Sequence, residues 1–209
     1  HFDVRTLAYL IQNKSIFTPN TMILAPKDDI LIEVLTELNY KNIKIVEDFE
    51  AIKVNDVTLT PTPSLNEGDS FPEHGLLVND GEVTVWNQVD TIVSPEIISY
   101  IHKLYGRLDF SHSRFLPLLE GNFNHHKTVA IPFDEYSSFL KVVGALKPKF
   151  IVPGSAAFRY RDEYDFLNRY SFPITPEQFL SDLGEFCPDI KSSLFNPGDI
   201  AYISKEGVK

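Results

Sequence analysis

The sequence predicts a single α/β domain. Three observations support that class: the length, the composition, and the alternation of helix-like with strand-like segments. The chain has 209 residues, enough for one domain with a sizeable hydrophobic core but too few for two ordinary domains. Hydrophobic residues make up 43% and charged residues 23%, as in folded globular proteins. We therefore expect residues 1–209 to form one domain.

The first half of the chain begins with a helix, a strand and a second helix. Apolar residues at helical spacing predict a helix over residues 3–12, and the apolar run 21–25 predicts a buried strand. An aspartate, Asp28 or Asp29, can cap the next helix, which continues through Leu38. Three short strands separated by turn residues follow, at 43–46, 51–54 and 57–60. We expect these three strands to form a small antiparallel meander.

The second half of the chain continues with a hairpin, further helices and a buried strand. Two apolar runs, 75–78 and 83–87, flank an Asn-Asp-Gly turn and predict a β-hairpin. Ser94 is a good N-cap for a helix through Tyr105, and residues 108–110 resume extended structure. Residues 111–127 show little periodicity and are interpreted as a long surface segment, a kind of segment that often serves as a functional lid. The remaining predicted elements are a helix at 134–146, a strand at 150–153, a helix at 176–184 and a strand at 200–203.

Charge and cysteine content exclude several classes of partner and site. The net charge is −10, from 29 acidic and 19 basic residues, so the phosphate backbone of a nucleic acid would be repelled. The single cysteine, Cys187, cannot form an internal disulfide or a cysteine-rich zinc site, which fits a reducing cytoplasm. No stretch reaches the about 18 uninterrupted apolar residues of a membrane span. We therefore expect a cytoplasmic protein with a small-molecule substrate and with neither nucleic acid nor membrane as partner.

Three residues are candidates for metal binding. Asp90 follows an apolar strand, from which a carboxylate can project rigidly, although a strand-terminal aspartate is more often a turn cap. His1 precedes the first helix, a stiff mount for a zinc or iron ligand, although a terminal histidine is often only a cut point. His74 precedes the hairpin that leads to Asp90. It is either a further ligand or an ordinary loop histidine.

The other histidines and the cysteine are weaker candidates. His125 and His126 are adjacent and point in different directions, so they are interpreted as solvated loop residues. His102 lies within a predicted helix and is interpreted as a surface residue, whereas His112 is undecided. Cys187 has no neighbouring histidine and is interpreted as structural. The sequence has no Gly-x-Ser-x-Gly, Walker-type or Gly-x-Gly-x-x-Gly motif, which removes the usual signatures of serine hydrolases, P-loop enzymes and dinucleotide binders.

Several motifs resemble the metallo-β-lactamase-fold superfamily. Residues 1–7 are similar to the last histidine of its His-x-His-x-Asp-His loop and the helix that follows. The tripeptide 89–91, Val-Asp-Thr, resembles the strand-terminal Gly-Asp-Thr whose aspartate bridges two metal ions. The longer stretch 86–91, Trp-Asn-Gln-Val-Asp-Thr, is closer to the branch that contains CMP-N-acetylneuraminate hydroxylase. Two further stretches, 72–74 and 146–158, also resemble that branch.

This resemblance implies a fold and a metal site. The fold is an αββα sandwich, with two mixed sheets flanked by helices, whose first strands and first metal ligands precede His1 and lie outside this sequence. The site holds two divalent metal ions, zinc or iron. Its ligands include His1, His74 and Asp90, and Asp90 is the catalytic residue.

The sequence also departs from hydrolases of the superfamily. Many of them have a histidine after the late strand, where this chain has Gly154-Ser155. A standard histidine-rich dizinc site is therefore not expected. Residues at and after this turn, Ser155, Arg159 and Tyr160, are predicted to bind the substrate, although Arg159 could equally form a surface ion pair of small energetic value.

Three functions follow from these residues. A metal-dependent hydrolase would use a metal-activated water and is the favoured prediction. An iron-dependent oxygenase would resemble the hydroxylase branch and would need a separate electron-donor protein, because the chain has no Rieske-type Cys/His pairs. A non-catalytic binding module on the same fold would explain the shortage of metal ligands.

Overall fold

A computed structural model describes residues 3–13, 17–65, 72–115, 125, 127–128, 130–154, 160–171 and 173–209. The helices are α1 (Val4–Gln12), α2 (Asp29–Glu37), α3 (Pro95–Tyr105), α4 (Phe133–Leu146), α5 (Asn168–Ser171) and α6 (Pro176–Phe186), with a 3₁₀ helix at Asp162–Leu167. The strands are β1 (Ile23–Ala25), β2 (Ile43–Ile45), β3 (Ile52–Val54), β4 (Val57–Pro63), β5 (His74–Asn79), β6 (Thr84–Asn87), β7 (Phe110–Arg114), β8 (Phe150–Gly154), β9 (Lys191–Ser192), β10 (Ile203–Ser204) and β11 (Gly207–Val208). Within these ranges, no helix combines the length and the apolar character needed to cross a bilayer.

Seven strands form one mixed sheet in the order β3-β4-β5-β6-β7-β8-β9. Neighbouring strands from β3 to β6 are antiparallel, and those from β6 to β9 are parallel. The register pairs Leu76 with Asn87, Asn87 with His112, and Arg114 with Gly154. The start of β5 and the ends of β6, β7 and β8 therefore lie along one side of the sheet, which we call the carboxyl edge.

The β5–β6 hairpin forms where its turn sequence predicts it. The Asp80 carboxylate accepts hydrogen bonds from the backbone N–H groups of Val83 and Glu82 at 2.8 and 2.9 Å, and these bonds hold the pKa of Asp80 below its ordinary value. Gly81 has a φ of 92°, a conformation that residues with a side chain rarely adopt. The turn therefore fixes the register of the two strands, and the predicted hairpin is confirmed.

Four of the described helices, α1, α2, α3 and α6, begin at side-chain caps, and the caps at Asp28 and Ser94 are those that the sequence predicts. Helix α4 begins without a side-chain cap. The cap residues, each of which accepts a hydrogen bond from a backbone N–H group in the first turn of its helix, are Asp3, Asp28, Ser94 and Thr175. Such caps contribute about 0.5–2 kcal/mol each to stability. The helices predicted over 3–12, to Leu38, from Ser94 to Tyr105, at 134–146 and at 176–184 are all confirmed to within two residues.

One face of the large sheet is covered by α3, α4 and α6. Trp86 and Leu77 from the sheet pack with Ile101 of α3 and Leu146 of α4, and all four side chains are fully buried. Burial of each large apolar side chain contributes about 1.5–3 kcal/mol. A neighbouring cluster adds residues of the sheet, α4 and α6, including Phe115, Val143, Ile151, Phe179 and Leu183. This helical layer is therefore the main hydrophobic core.

β1 and β2 form a separate parallel pair that packs with α1 and α2. Ile23 pairs with Ile43, and the apolar side chains of this unit surround Leu35 and Tyr40. The predicted antiparallel meander is therefore wrong for residues 43–46, although β3 and β4 do pair antiparallel. β2 pairs with β1 and packs against α1 and α2 because its apolar side chains are buried there. A pairing of this kind depends on distant segments and cannot be predicted from a short strand alone.

β7 is a central strand where the sequence predicts a surface segment. That prediction is wrong for residues 111–114. Ser111 and Ser113 are fully buried, and their hydroxyl oxygens lie 2.6 Å apart. Because one of these hydroxyls donates a hydrogen bond to the other, polar residues can occupy core positions here, which a hydrophobic pattern does not reveal. The predicted last strand at 200–203 is also wrong, because the chain ends in the short hairpin β10–β11.

Candidate functional site

The carboxyl edge gathers polar residues from several strands. His74 begins β5, Asp90 follows β6, His112 lies in β7 and Gly154 ends β8. Ligands commonly bind outside the carboxyl ends of parallel strands, where the chain leaves a rigid sheet. The edge is therefore the candidate functional site.

Asp90 lies in a tight turn after β6 that is closed by its own hydrogen bonds. Gln88 is 2% exposed, and its Nε2 donates to the carbonyl oxygen of Thr91 at 2.8 Å. The hydroxyl of Thr91, which is fully buried, donates to the carbonyl oxygen of Gln88 at 2.6 Å. The other amide atom of Gln88, Oε1, accepts the backbone N–H of Arg114 at 3.2 Å. The turn is therefore closed internally and joined to the neighbouring strand.

The backbone of this turn is strained at Val89. Its φ of 54° lies in the left-handed region, where a β-branched residue is an outlier that costs about 1–3 kcal/mol. The side chain is 41% exposed, so its burial does little to offset that cost. The Oδ1 atom of Asn87 accepts the Val89 N–H at 3.2 Å and helps to maintain the conformation. Strain of this kind concentrates at functional sites, and here it immediately precedes Asp90.

Arg114 ties the turn to helix α4. Its Nη1 donates to the backbone carbonyl oxygen of Asp90 at 2.7 Å, and its guanidinium lies 5.1 Å from the ring centroid of Phe139. Burial raises the pKa of Glu135 on the same helix, and the positive charge of Arg114 opposes that shift. The backbone of Asp90 is thus held from outside the turn as well as from within it.

His74 lies at the carboxyl edge, as predicted, and is paired with Asp48. Its Nε2 is 3.1 Å from Oδ1 of the carboxylate. The imidazole is 19% exposed and the carboxylate 52% exposed. When Nε2–H donates to Asp48, Nδ1 of the neutral ring keeps its lone pair. A carboxylate that orients an imidazole in this way is typical of metal-binding histidines.

His112 is an edge residue that the sequence leaves undecided. Its Nδ1 lies 3.1 Å from Oδ1 of Asn87, and burial lowers the pKa of the imidazole. The ring lies over Gly154, where an added methyl group would be only 1.9 Å from Nε2. The Ser-His-Ser alternation in β7 is the sequence feature that could have indicated this position. Side chains alternate between the two faces of a strand, so burial of the two serines puts His112 on the opposite face of the sheet.

The other predicted site residues are only partly described. Three of them, His1, Ser155 and Arg159, lie outside the described residues. Tyr160 follows, and its backbone N–H donates to Oδ1 of Asn168 at 2.8 Å while its carbonyl oxygen accepts from Nδ2 of the same residue at 2.9 Å. The position of Tyr160 is thus fixed through its backbone, and its contact with a substrate stays a prediction.

The donor types at the carboxyl edge suit zinc or iron. Asp90 offers a carboxylate, and His74 and His112 offer imidazole nitrogens. Within the described part of the chain, however, no three histidine, cysteine, aspartate or glutamate side chains converge closely enough to hold a metal ion. The described residues therefore match such an ion in kind and supply only part of its coordination sphere.

Solved structures with the same architecture identify the fold. CmlA, a diiron β-hydroxylase from Streptomyces venezuelae, matches with a TM-score of 0.60 and 14% identity over 90% of this chain. YhfI from Bacillus subtilis, a metallo-β-lactamase fold protein, matches with a TM-score of 0.60 and 11% identity over 94% of this chain. This chain has the metallo-β-lactamase fold. The predicted fold class is therefore confirmed.

Other comparisons limit what the metallo-β-lactamase fold implies. An isothiocyanate hydrolase from Delia radicum gut bacteria matches with a TM-score of 0.54 and 14% identity over 88% of this chain. The chain spans 40% of the length of CmlA, 70% of YhfI and 69% of the isothiocyanate hydrolase. No protein-family profile and no curated protein matches the sequence. The comparisons therefore establish the fold, and the function has to be argued from the residues.

Proposed function

We propose that this metallo-β-lactamase-fold chain is a metal-dependent hydrolase that acts on a small molecule at the carboxyl edge. The observation that carries the proposal is the closed and strained turn at Asp90, located where several strands bring polar side chains together. Such a turn costs folding free energy, and proteins retain a cost of this kind mainly at functional positions.

Asp90 and His74 are the described residues that would hold the metal ions, two divalent ions of zinc or iron. Their oxygen and nitrogen donors suit either metal. Asp48 supports His74 as a ligand, because its carboxylate accepts a hydrogen bond from Nε2–H and leaves Nδ1 for the ion. Two side chains do not complete the coordination sphere of a metal pair, so further ligands are required.

We propose that His1 supplies a further ligand, as the resemblance to the last histidine of the His-x-His-x-Asp-His loop implies. His1 precedes Asp3, the cap of α1. Asp3, Thr6 and Leu7 line a cavity of about 300 Å³ together with β1 and α2. The chain that leaves β2, the partner of β1, continues to Asp48 and so to His74. Together, these contacts support a position for the start of α1 near the carboxyl edge.

A divalent ion at this edge would lower the pKa of a bound water toward neutrality and polarise an ester, amide or phosphodiester. The protein's own contribution is positional. Gln88 and Thr91 close the turn, and Arg114 holds the carbonyl oxygen of Asp90 at 2.7 Å. The carboxylate of Asp90 therefore projects from a backbone with little freedom, which is what a catalytic ligand requires.

We propose Ser155, Arg159 and Tyr160 as substrate-binding residues. They follow β8, which ends at Gly154 on the carboxyl edge. Tyr160 is anchored through its backbone by the Asn168 side chain, in the segment that follows β8. An Arg159→Ala variant should raise KM for an anionic substrate more than it lowers kcat.

An iron-dependent hydroxylase is the second candidate function. Two observations favour it: the TM-score of 0.60 with the diiron β-hydroxylase CmlA, and the resemblance of residues 86–91 to the CMP-N-acetylneuraminate hydroxylase branch. These 209 residues hold a single cysteine and therefore no Rieske-type centre, so a hydroxylase of this kind would take its electrons from outside this domain, and we propose a donor protein as the source.

Metal analysis of the full-length protein separates these functions. The protein is purified without chelator, and its metals are quantified by mass spectrometry. Two zinc ions per chain, with metal-dependent hydrolysis in a panel of esters, amides and phosphodiesters, would support the hydrolase. Iron with an oxygen-dependent change in absorbance would support the hydroxylase. A folded protein that holds neither metal would contradict both and favour a non-catalytic binding module.

A further inference from the structure

The protonation pattern of His112 follows from its neighbours. Oδ1 of Asn87 accepts the backbone N–H of Val89 at 3.2 Å, which identifies this atom of the amide as the oxygen. The same oxygen lies 3.1 Å from Nδ1 of His112. An amide oxygen can only accept, so Nδ1 must carry the hydrogen. In the neutral ring, Nε2 therefore keeps its lone pair.

Nε2 lies over the backbone of Gly154, in space that a side chain would otherwise fill. A methyl group at residue 154 would lie 1.9 Å from Nε2 and 2.2 Å from Cε1. The φ of Gly154 is not positive, so the backbone itself does not require glycine here. The ring of His112 is what excludes a side chain. Among the described residues, Nε2 has no hydrogen-bond partner that would occupy its lone pair.

His112 is also joined directly to the turn that carries Asp90. Its carbonyl oxygen accepts the backbone N–H of Gln88 at 2.9 Å. The imidazole and the turn are thus parts of one rigid unit at the carboxyl edge. Burial lowers the pKa of the ring, which favours the neutral form that a metal ion requires.

We propose that Nε2 of His112 is a metal ligand at the carboxyl edge, on an ion that it does not share with both Asp90 and His74, because no three such side chains of the described residues converge on one point. This inference rests on the proposed function and extends it to a residue of β7. An imidazole nitrogen is a good ligand for zinc and iron, and a hydrogen bond from the opposite ring nitrogen is the usual means of orienting it. Asn87 is then a positioning residue, and Gly154 provides the space that the ring needs.

The tautomer of His112 is measurable without metal. Long-range ¹H–¹⁵N correlation spectra of the metal-free, full-length protein, labelled at histidine, report which ring nitrogen carries the hydrogen. The His112 signals are assigned by their loss in a His112→Gln variant. We expect the Nδ1–H form in the neutral ring. The Nε2–H form would overturn the inference, because its lone pair would then face Asn87.

Zinc titration of the same sample tests the ligand role. Zn²⁺ should move the Nε2 resonance of His112, and His112→Gln should weaken Zn²⁺ binding by at least about tenfold. His102 is the matched control, because its ring nitrogens lie 3.0 and 3.2 Å from the carbonyl oxygens of Gly106 and Ala145 in the helical layer. The His102 resonances should not move when Zn²⁺ is added. A His102→Gln variant should bind Zn²⁺ as tightly as the unsubstituted protein does.

The outcomes separate this inference from the proposed function. If Zn²⁺ binds and Asp90→Ala weakens it while His112→Gln does not, the ligand role of His112 is overturned and the proposed function stands. If neither Zn²⁺ nor Fe²⁺ binds to the folded protein, the proposed function fails and this inference fails with it. If both variants weaken binding and His102→Gln does not, the inference is supported.

Discussion

Replacing Gly154 with alanine probes the carboxyl edge with a single methyl group. That methyl would lie 1.9, 2.2 and 2.4 Å from Nε2, Cε1 and Cδ2 of His112, so the ring must move. Overpacking of this kind costs about 1–3 kcal/mol, and loss of the hydrogen bond to Asn87 adds about 0.5–1.5 kcal/mol. We therefore expect Gly154→Ala to lower the free energy of unfolding by about 2–4 kcal/mol in urea denaturation followed by circular dichroism.

Two further variants make this prediction specific. Gly184 in α6 has nothing within 4 Å of an added methyl, so Gly184→Ala should be neutral or stabilise by up to about 1 kcal/mol. In a His112→Ala background the steric conflict is absent, so Gly154→Ala should leave the free energy of unfolding about unchanged. An equal loss from Gly154→Ala in both backgrounds would refute the packing of His112 over Gly154.

Three other variants test the turn and the protonation of His112. Val89→Gly should raise the free energy of unfolding by about 1 kcal/mol, since relief of strain outweighs the entropy of glycine; a decrease would contradict the positive φ. Gln88→Leu should lower the free energy of unfolding by about 2–5 kcal/mol, because it leaves buried backbone groups of Thr91 and Arg114 unpaired. The control, Gln178→Leu on the exposed face of α6, should change the free energy of unfolding by about 0.5 kcal/mol or less. Burial lowers the pKa of His112 below 6.5, so the unfolded chain takes up a proton first and stability falls as the pH drops through that value. In His112→Asn that loss should be smaller in denaturation measured at several pH values, and an identical pH profile would count against a buried imidazole.

The parts of the fold that the sequence predicts are those coded locally. The hairpin follows from the Asn-Asp-Gly turn, and the helices follow from their caps and apolar spacing. β7 is predicted only as far as Phe110, because the core positions that follow are Ser111 and Ser113, polar residues that are hydrogen-bonded to each other. β2 is given the wrong partner because parallel pairing with β1 is decided across an intervening helix.

The candidate site also contains positions that can be predicted from the local sequence and positions that depend on contacts between distant segments. The location of Asp90 and His74 at the carboxyl edge is predictable, because strand ends and the segment before a hairpin can be recognised in the sequence. His112 is not, because its orientation depends on Asn87 in one neighbouring strand and on the absence of a side chain at Gly154 in the other. The pairing of His74 with Asp48 is likewise a contact between distant segments. The metal-binding or substrate-binding roles of all the candidate residues stay predictions, namely those of His1, His74, Asp90, Ser155, Arg159 and Tyr160.

The most direct test of a metal centre at this edge is the metal content of Asp90→Ala. Full-length protein and variant are purified in parallel, and zinc and iron are quantified by mass spectrometry beside circular dichroism. Asp56→Ala is the control, because Asp56 is an exposed residue in the β3–β4 turn at the opposite side of the sheet. We predict that Asp90→Ala loses its metal with little loss of fold, while Asp56→Ala keeps it. Unchanged metal content in Asp90→Ala would contradict the assignment.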